Sequence, residues 1–179
     1  GEGGGSEEPV QEENGISVQS NEPHEHYLCA GKDEDGKDEC TGVGHSETST
    51  HTFTAWTDEL AAEQWRSDKK TASNSLPNDG SANYYLTKDV ELEDTWDGGG
   101  ITLCLNGHSI TMKGNKSVIS VSGTRSTFTL MDCKGGKQDA KYGKITHASG
   151  SKGHGVEVKG TFYMYGGNIT DNKDSGVSM

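Results

Sequence analysis

The sequence predicts an all-β fold, a parallel β-helix (solenoid), because its C-terminal half is repetitive. Three threonines begin similar alternating phrases, and they lie 25 and 34 residues apart: Thr102, Thr127 and Thr161. Three isoleucines follow them at intervals of 35 and 24 residues: Ile110, Ile145 and Ile169. A unit of about two dozen residues with one long insertion has the size that indicates a solenoid or a repeat array.

Each repeat alternates apolar with polar residues, which is the period of a strand with one buried face. Leu103 and Leu105 point to one side in this pattern, and Cys104 points to the other. We expect the repeats to stack so that two columns of apolar side chains line the interior: Leu103, Phe128 and Phe162, and Ile110, Ile145 and Ile169. An antiparallel sandwich of short strands is the alternative, but the columns come into register only under the repeat.

The composition fits one narrow core preceded by a polar leader. Only 28% of the 179 residues are hydrophobic, 26 are glycine, and the formal net charge is −12. This acidity argues against nucleic acid as a partner, because phosphate binding needs clusters of basic side chains. No apolar run in this chain has the length of a membrane span.

Changes in composition divide the chain into four segments. Residues 1–20 form a flexible, acidic, glycine-rich leader, and residues 21–51 form an irregular segment rich in cysteine and histidine. Residues 52–82 hold a short capping helix and a loop, and residues 83–179 hold the β-helix repeats. The last repeat would end at Met179 with an open strand edge, which solenoids normally cover, so we expect the natural polypeptide to continue beyond it.

The segment 21–51 has few apolar residues and therefore needs a crosslink in order to fold. A zinc site is one interpretation, since two histidines and two cysteines have a spacing similar to that of a zinc finger: His26, Cys29, Cys40 and His45. A Cys29–Cys40 disulfide, worth roughly 3 kcal/mol, is the other interpretation. The nearby histidines favour the metal, whereas an extracellular location favours the disulfide.

A short amphipathic helix is predicted after Thr57, which is a suitable N-cap residue. Asp58 and Glu59 would then lie at the positive end of the helix dipole. An apolar stripe follows: Trp56, Leu60 and Trp65. We expect this stripe to cover the open end of the first coil, although two tryptophans could instead form a platform on which sugars stack.

Several phrases together resemble one group of known proteins. They are Phe53-Thr-Ala-Trp-Thr57, Ser75-Leu-Pro77, Asn83-Tyr-Tyr-Leu-Thr-Lys-Asp-Val90, Leu103-Cys-Leu-Asn-Gly-His-Ser-Ile-Thr111, Gly143-Lys-Ile-Thr-His-Ala-Ser-Gly150 and Met164-Tyr-Gly-Gly-Asn-Ile-Thr170. Over about residues 50–179, this set resembles the right-handed parallel β-helix repeat proteins on the surface of gut Firmicutes, which belong to the pectin-lyase-like fold class. The resemblance implies a right-handed parallel β-helix in a secreted, cell-surface protein of Gram-positive type, and it implies little about chemistry.

No catalytic residue is predicted. Hydrolysis of a glycoside would need two carboxyl groups about 5 to 10 Å apart, and no stacked carboxylate pair falls on the predicted strand faces. Asp132 has no carboxyl partner above or below it, and His108, His147 and His154 are predicted to be surface residues. A fragment of a polysaccharide lyase or glycoside hydrolase is still an alternative, because the fold class that the sequence resembles contains both.

Cys104 and Cys133 are predicted to join adjacent coils through a disulfide. Neighbouring strands lie about 4.8 Å apart, which is compatible with the usual Cα separation across such a bond. The expected register argues against it, since Cys133 aligns better with His108 than with Cys104.

One outward face is a candidate ligand-binding surface. Tyr163 and Tyr165 project from it beside Thr129, and aromatic rings next to hydroxyl groups can stack on sugars and hydrogen-bond them. The sequence thus predicts an extracellular protein that acts in adhesion or carbohydrate binding, with a polysaccharide or host glycan as its partner. The alternative is a passive surface scaffold or a stalk that self-associates end to end.

Overall fold

A computed structural model describes residues 21–28, 49–134 and 141–179 of the protein. In these ranges the chain is mostly β-structure, with one α-helix, α1 (Asp58–Trp65), followed by a 3₁₀ turn (Arg66–Asp68). The strands are β1 (His24–His26), β2 (His51–Trp56), β3 (Asn83–Leu86), β4 (Val90–Leu92), β5 (Trp96–Asp97), β6 (Thr102–Cys104), β7 (Ile110–Met112), β8 (Ile119–Val121), β9 (Thr127–Met131), β10 (Lys144–His147), β11 (Val156–Val158), β12 (Thr161–Met164), β13 (Asn168–Ile169) and β14 (Val177–Ser178).

These strands form three sheets, which we call sheets A, B and C. Sheet A has the order β1-β2-β3-β6-β9-β12, sheet B the order β4-β7-β10-β13, and sheet C the order β5-β8-β11-β14. From β3 onward the chain adds one strand to A, one to B and one to C, and it does so four times in succession. Neighbouring strands pair in parallel, except for the antiparallel pair of β1 and β2. The prediction of a β-rich fold with parallel strands is confirmed, and the antiparallel sandwich is wrong.

The isoleucine column predicted from the repeat is confirmed in sheet B. Ile145 pairs with Ile110 on one side and with Ile169 on the other, and Val90 extends the column beyond Ile110. Sheet C carries an equivalent apolar column: Trp96, Ile119, Val156 and Val177. Side chains of equal position in successive repeats therefore lie directly above one another, as in-register parallel strands require.

The register of sheet A differs from the predicted one by two residues. Phe162 pairs with Phe128 as expected, with their rings stacked at 5.5 Å, but Leu103 pairs with Leu130 and not with Phe128. The buried residue Ile101, which precedes β6, takes the register position next to Phe128. A shift of two residues leaves every side chain on its predicted face, because side chains alternate with a period of two.

The side chains on the inner faces of the three sheets form one hydrophobic cluster, the core. Its members include Trp56, Leu86, Val90, Trp96, Leu103, Ile110, Ile119, Phe128, Leu130, Ile145 and Val156. Full burial of one Val, Leu, Ile or Phe side chain is worth about 1.5–3 kcal/mol. A chain with few hydrophobic residues can therefore be stable, because the alternation directs those residues into one narrow interior.

The predicted short helix is confirmed and packs on this core. The Thr57 side chain caps α1, since its Oγ1 accepts the Leu60 N–H at 3.3 Å. Ala61 is fully buried, and Leu60 and Trp65 pack against the core. Helices in the described ranges fall short of the length and apolar character that crossing a bilayer requires.

Three tryptophans fasten the loop after α1 to the core. The indole N–H groups of Trp56, Trp65 and Trp96 donate to the carbonyl oxygens of three consecutive residues: Ser75, Leu76 and Pro77. These hydrogen bonds measure 3.1, 2.9 and 2.8 Å, respectively. Trp56 is fully buried, so the alternative in which Trp56 and Trp65 form an exposed sugar-stacking platform is wrong.

Asp58 ties the same loop to the first turn of α1. Its Oδ1 accepts the Ala72 N–H at 2.8 Å, and Lys88 Nζ lies 3.2 Å from the same oxygen. The hydrogen bond from Ala72 is the main cause that lowers the pKa of Asp58 from its usual value. A lowered pKa in the folded state adds stability that is present above the unfolded pKa and is lost as the pH falls through the folded pKa.

We expect Asp58→Asn to lower the free energy of unfolding by roughly 0.5–1 kcal/mol at about pH 7, since Asn keeps the hydrogen bond and loses only the partly solvent-screened charge. At an acid pH below the folded-state pKa of Asp58 the wild-type carboxyl is protonated, so the difference between the two proteins should disappear there. Urea unfolding at both pH values measures this. Glu59→Gln, in the same helical turn, is the matched control, and an equal Asp58→Asn effect at both pH values would contradict the prediction.

Candidate functional site

The outer face of sheet A carries the candidate functional residues. Tyr163, Thr129 and Thr102 lie side by side on β12, β9 and β6 and point away from the core. Beside them lies a small hydrophobic group that we call the outer cluster: Phe53, Ala55, Tyr85, Cys104 and Met131. Its position follows from the alternation of the strands, which sends every second side chain outward.

Tyr163 and Tyr165 present two nearly parallel rings at the β12 edge of sheet A. Their centroids are 6.3 Å apart with an interplanar angle of 10°, and 50% of Tyr163 is exposed. Tyr165 is partly buried against the outer cluster. Thr129, which pairs with Tyr163, is only 9% exposed. Of the three residues expected to form the ligand face, the two tyrosines are therefore accessible to different degrees, and Thr129 is nearly buried on the neighbouring strand.

Two histidines of β1 lie on this same outer face. His24 pairs with Phe53 and His26 with His51, so the two histidine rings project from the same side of the strand. The His24 ring stacks on Tyr85 with a centroid distance of 3.7 Å and an interplanar angle of 4°. The His26 ring centroid lies 5.1 Å from that of Phe53. Ring packing therefore holds both histidines against the outer cluster.

Cys133, which follows β9, completes a group with these histidines. One ligand atom from each of His24, His26 and Cys133 lies within 4.8 Å of the other two. His24 Nδ1 and His26 Nε2 are buried and have no hydrogen-bond partner among the described residues. Such a group of nitrogen and sulfur donors has the composition of a transition-metal site.

Cys104 lies beside Cys133, and no disulfide joins them. The two Sγ atoms are 3.5 Å apart, whereas a disulfide requires about 2.05 Å. Cys104 pairs with Met131, so Cys133 lies two residues beyond the register partner of Cys104. A register offset was also the argument against this disulfide in the sequence. Cys104 is fully buried, and this burial raises the pKa of its thiol well above the usual value. The Cys104–Cys133 disulfide predicted from the sequence is not formed in this structure.

Three of the four predicted zinc ligands lie outside the described residues: Cys29, Cys40 and His45. The predicted Cys29–Cys40 disulfide lies there as well. The fourth predicted ligand, His26, is described, and its neighbours in the site are His24 and Cys133. The sequence carried one signal for His24, since His24-Glu25-His26 on a strand places both rings on one face. It carried none for Cys133, which is remote in the chain.

Asp132 has a structural task. Its carboxylate accepts backbone N–H groups from Gly107, Lys134 and Gly143 at 2.8, 2.9 and 2.5 Å. Burial raises the pKa of Asp132, and the three N–H donors act in the opposite direction. A Cβ at Gly143 would overlap the carbonyl oxygen of His108, so only glycine allows this approach. Asp132 thus joins the turn after β6 to the residue before β10.

The histidines considered for surface positions differ from one another. His147 is only 6% exposed, so the prediction that it lies on the surface is wrong. Its Nδ1 lies 2.6 Å from Asn172 Oδ1, and its Nε2 lies 2.6 Å from the carbonyl oxygen of Lys116. His108 and His154 are partly exposed. His147 therefore links neighbouring repeats by hydrogen bonds, which explains why a polar side chain is buried there.

A cleft of about 870 Å³ lies beside the 3₁₀ turn and sheet B. Its lining includes Trp65, Asp68, Lys70, Glu91, Glu93, Asp94 and Lys113. Lys116 Nζ donates to Asp94 Oδ1 at 2.5 Å, and this hydrogen bond lowers the pKa of Asp94. A general acid for glycoside hydrolysis needs the opposite shift. Asp94 therefore does not have the raised pKa that the general acid of a glycoside hydrolase requires.

Comparison of the chain with protein-family models finds no match. Comparison with curated proteins and with solved structures finds none either.

We expect Asp132→Ala to lower the free energy of unfolding by about 2–4 kcal/mol, because three backbone N–H groups would lose their acceptor. Urea unfolding at neutral pH measures the change. Asp174→Ala removes an exposed carboxyl group and is the matched control. Similar destabilisation by the two substitutions would show that Asp132 is not the anchor described above.

Proposed function

We propose that sheets A, B and C are the three faces of a right-handed parallel β-helix. The fourfold A-B-C succession of strands and the parallel pairing within each sheet support this architecture. Its hand follows from a general rule, since connections between parallel strands of one sheet are right-handed in about 98% of cases. Each connection here passes through the other two sheets before it returns, which makes one coil of the helix.

On this scaffold we propose a secreted, cell-surface protein that binds carbohydrate through Tyr163 and Tyr165. The observation that carries this proposal is the pair of nearly parallel rings, 6.3 Å apart, of which Tyr163 is half exposed. Flat aromatic rings bind the apolar faces of sugar rings, and the phenol groups add hydrogen bonds. The sequence resemblance to cell-surface repeat proteins supports the location.

The charge of the protein limits the class of glycan. The formal net charge is −12, and a protein of this charge repels anionic polymers at low ionic strength. We therefore infer that neutral polysaccharides or neutral host glycans are preferred to sulfated, uronic or sialylated ones. The preference should weaken as salt is added, because salt screens the repulsion.

The test is binding of the purified, folded chain to an array of neutral and anionic plant, mucin and bacterial glycans. We expect saturable binding to neutral members. Tyr163→Ala should weaken it by about tenfold or more, since one aromatic contact in a binding site is worth about 1–2 kcal/mol. Tyr163→Phe should keep most of the binding, because it keeps the ring that stacks.

Met164→Ala provides the matched control for the tyrosine variants. Met164 belongs to the same strand as Tyr163 and is 40% exposed, but its side chain points to the opposite face of sheet A. Its truncation should leave glycan binding unchanged. Absence of binding to every glycan, or equal loss in Met164→Ala and Tyr163→Ala, would refute the carbohydrate-binding role of this surface.

A self-associating stalk is a second candidate function, favoured by the exposure of inward-facing side chains on the last strands. Met164 and Val177 occupy core positions of the repeat but are 40% and 41% exposed. The equivalent face of a second copy of the chain would cover them. Sedimentation velocity over a wide concentration range tests self-association: a constant monomeric size excludes it, and a rising size that Met164→Asp abolishes supports it.

A further inference from the structure

We propose that His24, His26 and Cys133 bind a zinc ion on the outer face of sheet A, with Cys104 as the fourth ligand. This site shares only His26 with the ligand set that the sequence spacing predicted. It joins the N-terminal strand β1 to the end of β9, and it is independent of the glycan-binding proposal.

The geometry already resembles a metal site. The ligand atoms of His24, His26 and Cys133 lie within 4.8 Å of one another. The Sγ atoms of Cys133 and Cys104 are 3.5 Å apart. In a tetrahedral site with zinc–sulfur bonds of about 2.3 Å, two sulfur ligands stand about 3.8 Å from each other. Three donors are therefore already gathered, and the Cys104 Sγ, which adjoins that of Cys133, would complete the set of four by moving toward the two histidines.

The unpaired nitrogens of the two histidines give an independent reason. His24 Nδ1 and His26 Nε2 are buried without a hydrogen-bond partner among the described residues. Buried polar atoms in native proteins nearly always have a partner. A neutral imidazole ring has one nitrogen with a free lone pair. An ion at the centre of the cluster would accept that lone pair, for which the described residues supply no partner.

The chemical types of the four ligand atoms indicate which metal the site would bind. Two imidazole nitrogens and two sulfurs in tetrahedral reach are the donor set of structural zinc sites, whereas calcium and magnesium require oxygen ligands. All four positions would be filled by protein, which is the mark of a structural site and leaves no open position for catalysis. The rings are also held in advance, since His24 stacks on Tyr85 and His26 packs near Phe53.

The consequence is a crosslink on the outside of the fold. β1 contributes only three residues to the edge of sheet A, and its partner β2 is the first strand of the parallel series. Such a short edge strand is weakly held by its backbone hydrogen bonds. A zinc ion shared by β1 and the end of β9 would fix this strand to the core repeats.

The test uses the full chain, reduced and stripped of metal, titrated with Zn²⁺ and, in parallel, with Co²⁺ as a spectroscopic probe. We expect one ion per chain and a thiolate-to-cobalt charge-transfer band. His24→Phe keeps the stack on Tyr85 and removes one ligand, and Cys133→Ser keeps the size of the side chain. Each should weaken binding by at least about tenfold, as the loss of groups that support metal sites does.

Two sets of controls separate this site from its rivals. His154→Ala removes a partly exposed histidine far along the chain and should leave binding unchanged. Cys29→Ser and Cys40→Ser should also leave the cobalt spectrum unchanged, whereas the ligand set expected from the sequence spacing requires that both abolish it. Loss of binding in these two variants with retention in Cys133→Ser would overturn the proposal, as would failure of the wild-type chain to bind one equivalent of either ion.

Thermal unfolding gives a second readout that does not depend on cobalt. A ligand that binds only the folded state raises the unfolding midpoint. Zn²⁺ should raise the midpoint of wild type and of His154→Ala and should not raise that of His24→Phe. Circular dichroism of the metal-free variants verifies that each is folded. An equal rise in His24→Phe and wild type would exclude His24 as a ligand.

Discussion

Parallel pairing in register holds the short strands of this protein together. The described strands are two to six residues long, so none of them can be stable without neighbours on its sheet. In sheet B, Val90, Ile110, Ile145 and Ile169 stack in one column because equal positions of successive repeats lie opposite each other in the parallel ladders. Backbone pairing and apolar burial therefore stabilise the same arrangement, and a substitution that disturbs one repeat also destabilises the repeats beside it.

The turns between strands are held by buried polar groups that link one repeat to another. Asp132 binds the backbone N–H group of Gly107 in the preceding repeat and that of Gly143 before β10. His147 joins Lys116 to Asn172. Three indole N–H groups do the same for the loop after α1. Apart from the bond between the His147 and Asn172 side chains, each bond satisfies a backbone group that a turn of the chain would otherwise leave without a partner. Hydrogen bonds therefore define the conformation of these turns, although the turns contain few apolar residues.

The inner and outer faces of sheet A have separate tasks. The inner face contributes Leu103, Phe128 and Leu130 to the core. The outer face holds the tyrosine pair and the histidine–cysteine cluster, both resting on the outer cluster of apolar residues. Substitutions on the outer face leave the core side chains in place, so the proposed glycan and metal sites can be tested separately from folding.

Sequence patterns alone were enough to predict the inward sides of β6, β9 and β12, the start of α1 and the isoleucine column, because alternation and capping are local. The partners across sheet A became known from the three-dimensional structure, because they are long-range contacts. Ile101 occupies the place next to Phe128, and a two-residue shift leaves the alternation unchanged, so the pattern could not reveal it. The meeting of Cys133 with His24 and His26 is of the same kind. It depends on how many strands separate them and in which register, and these are long-range contacts that no local spacing encodes.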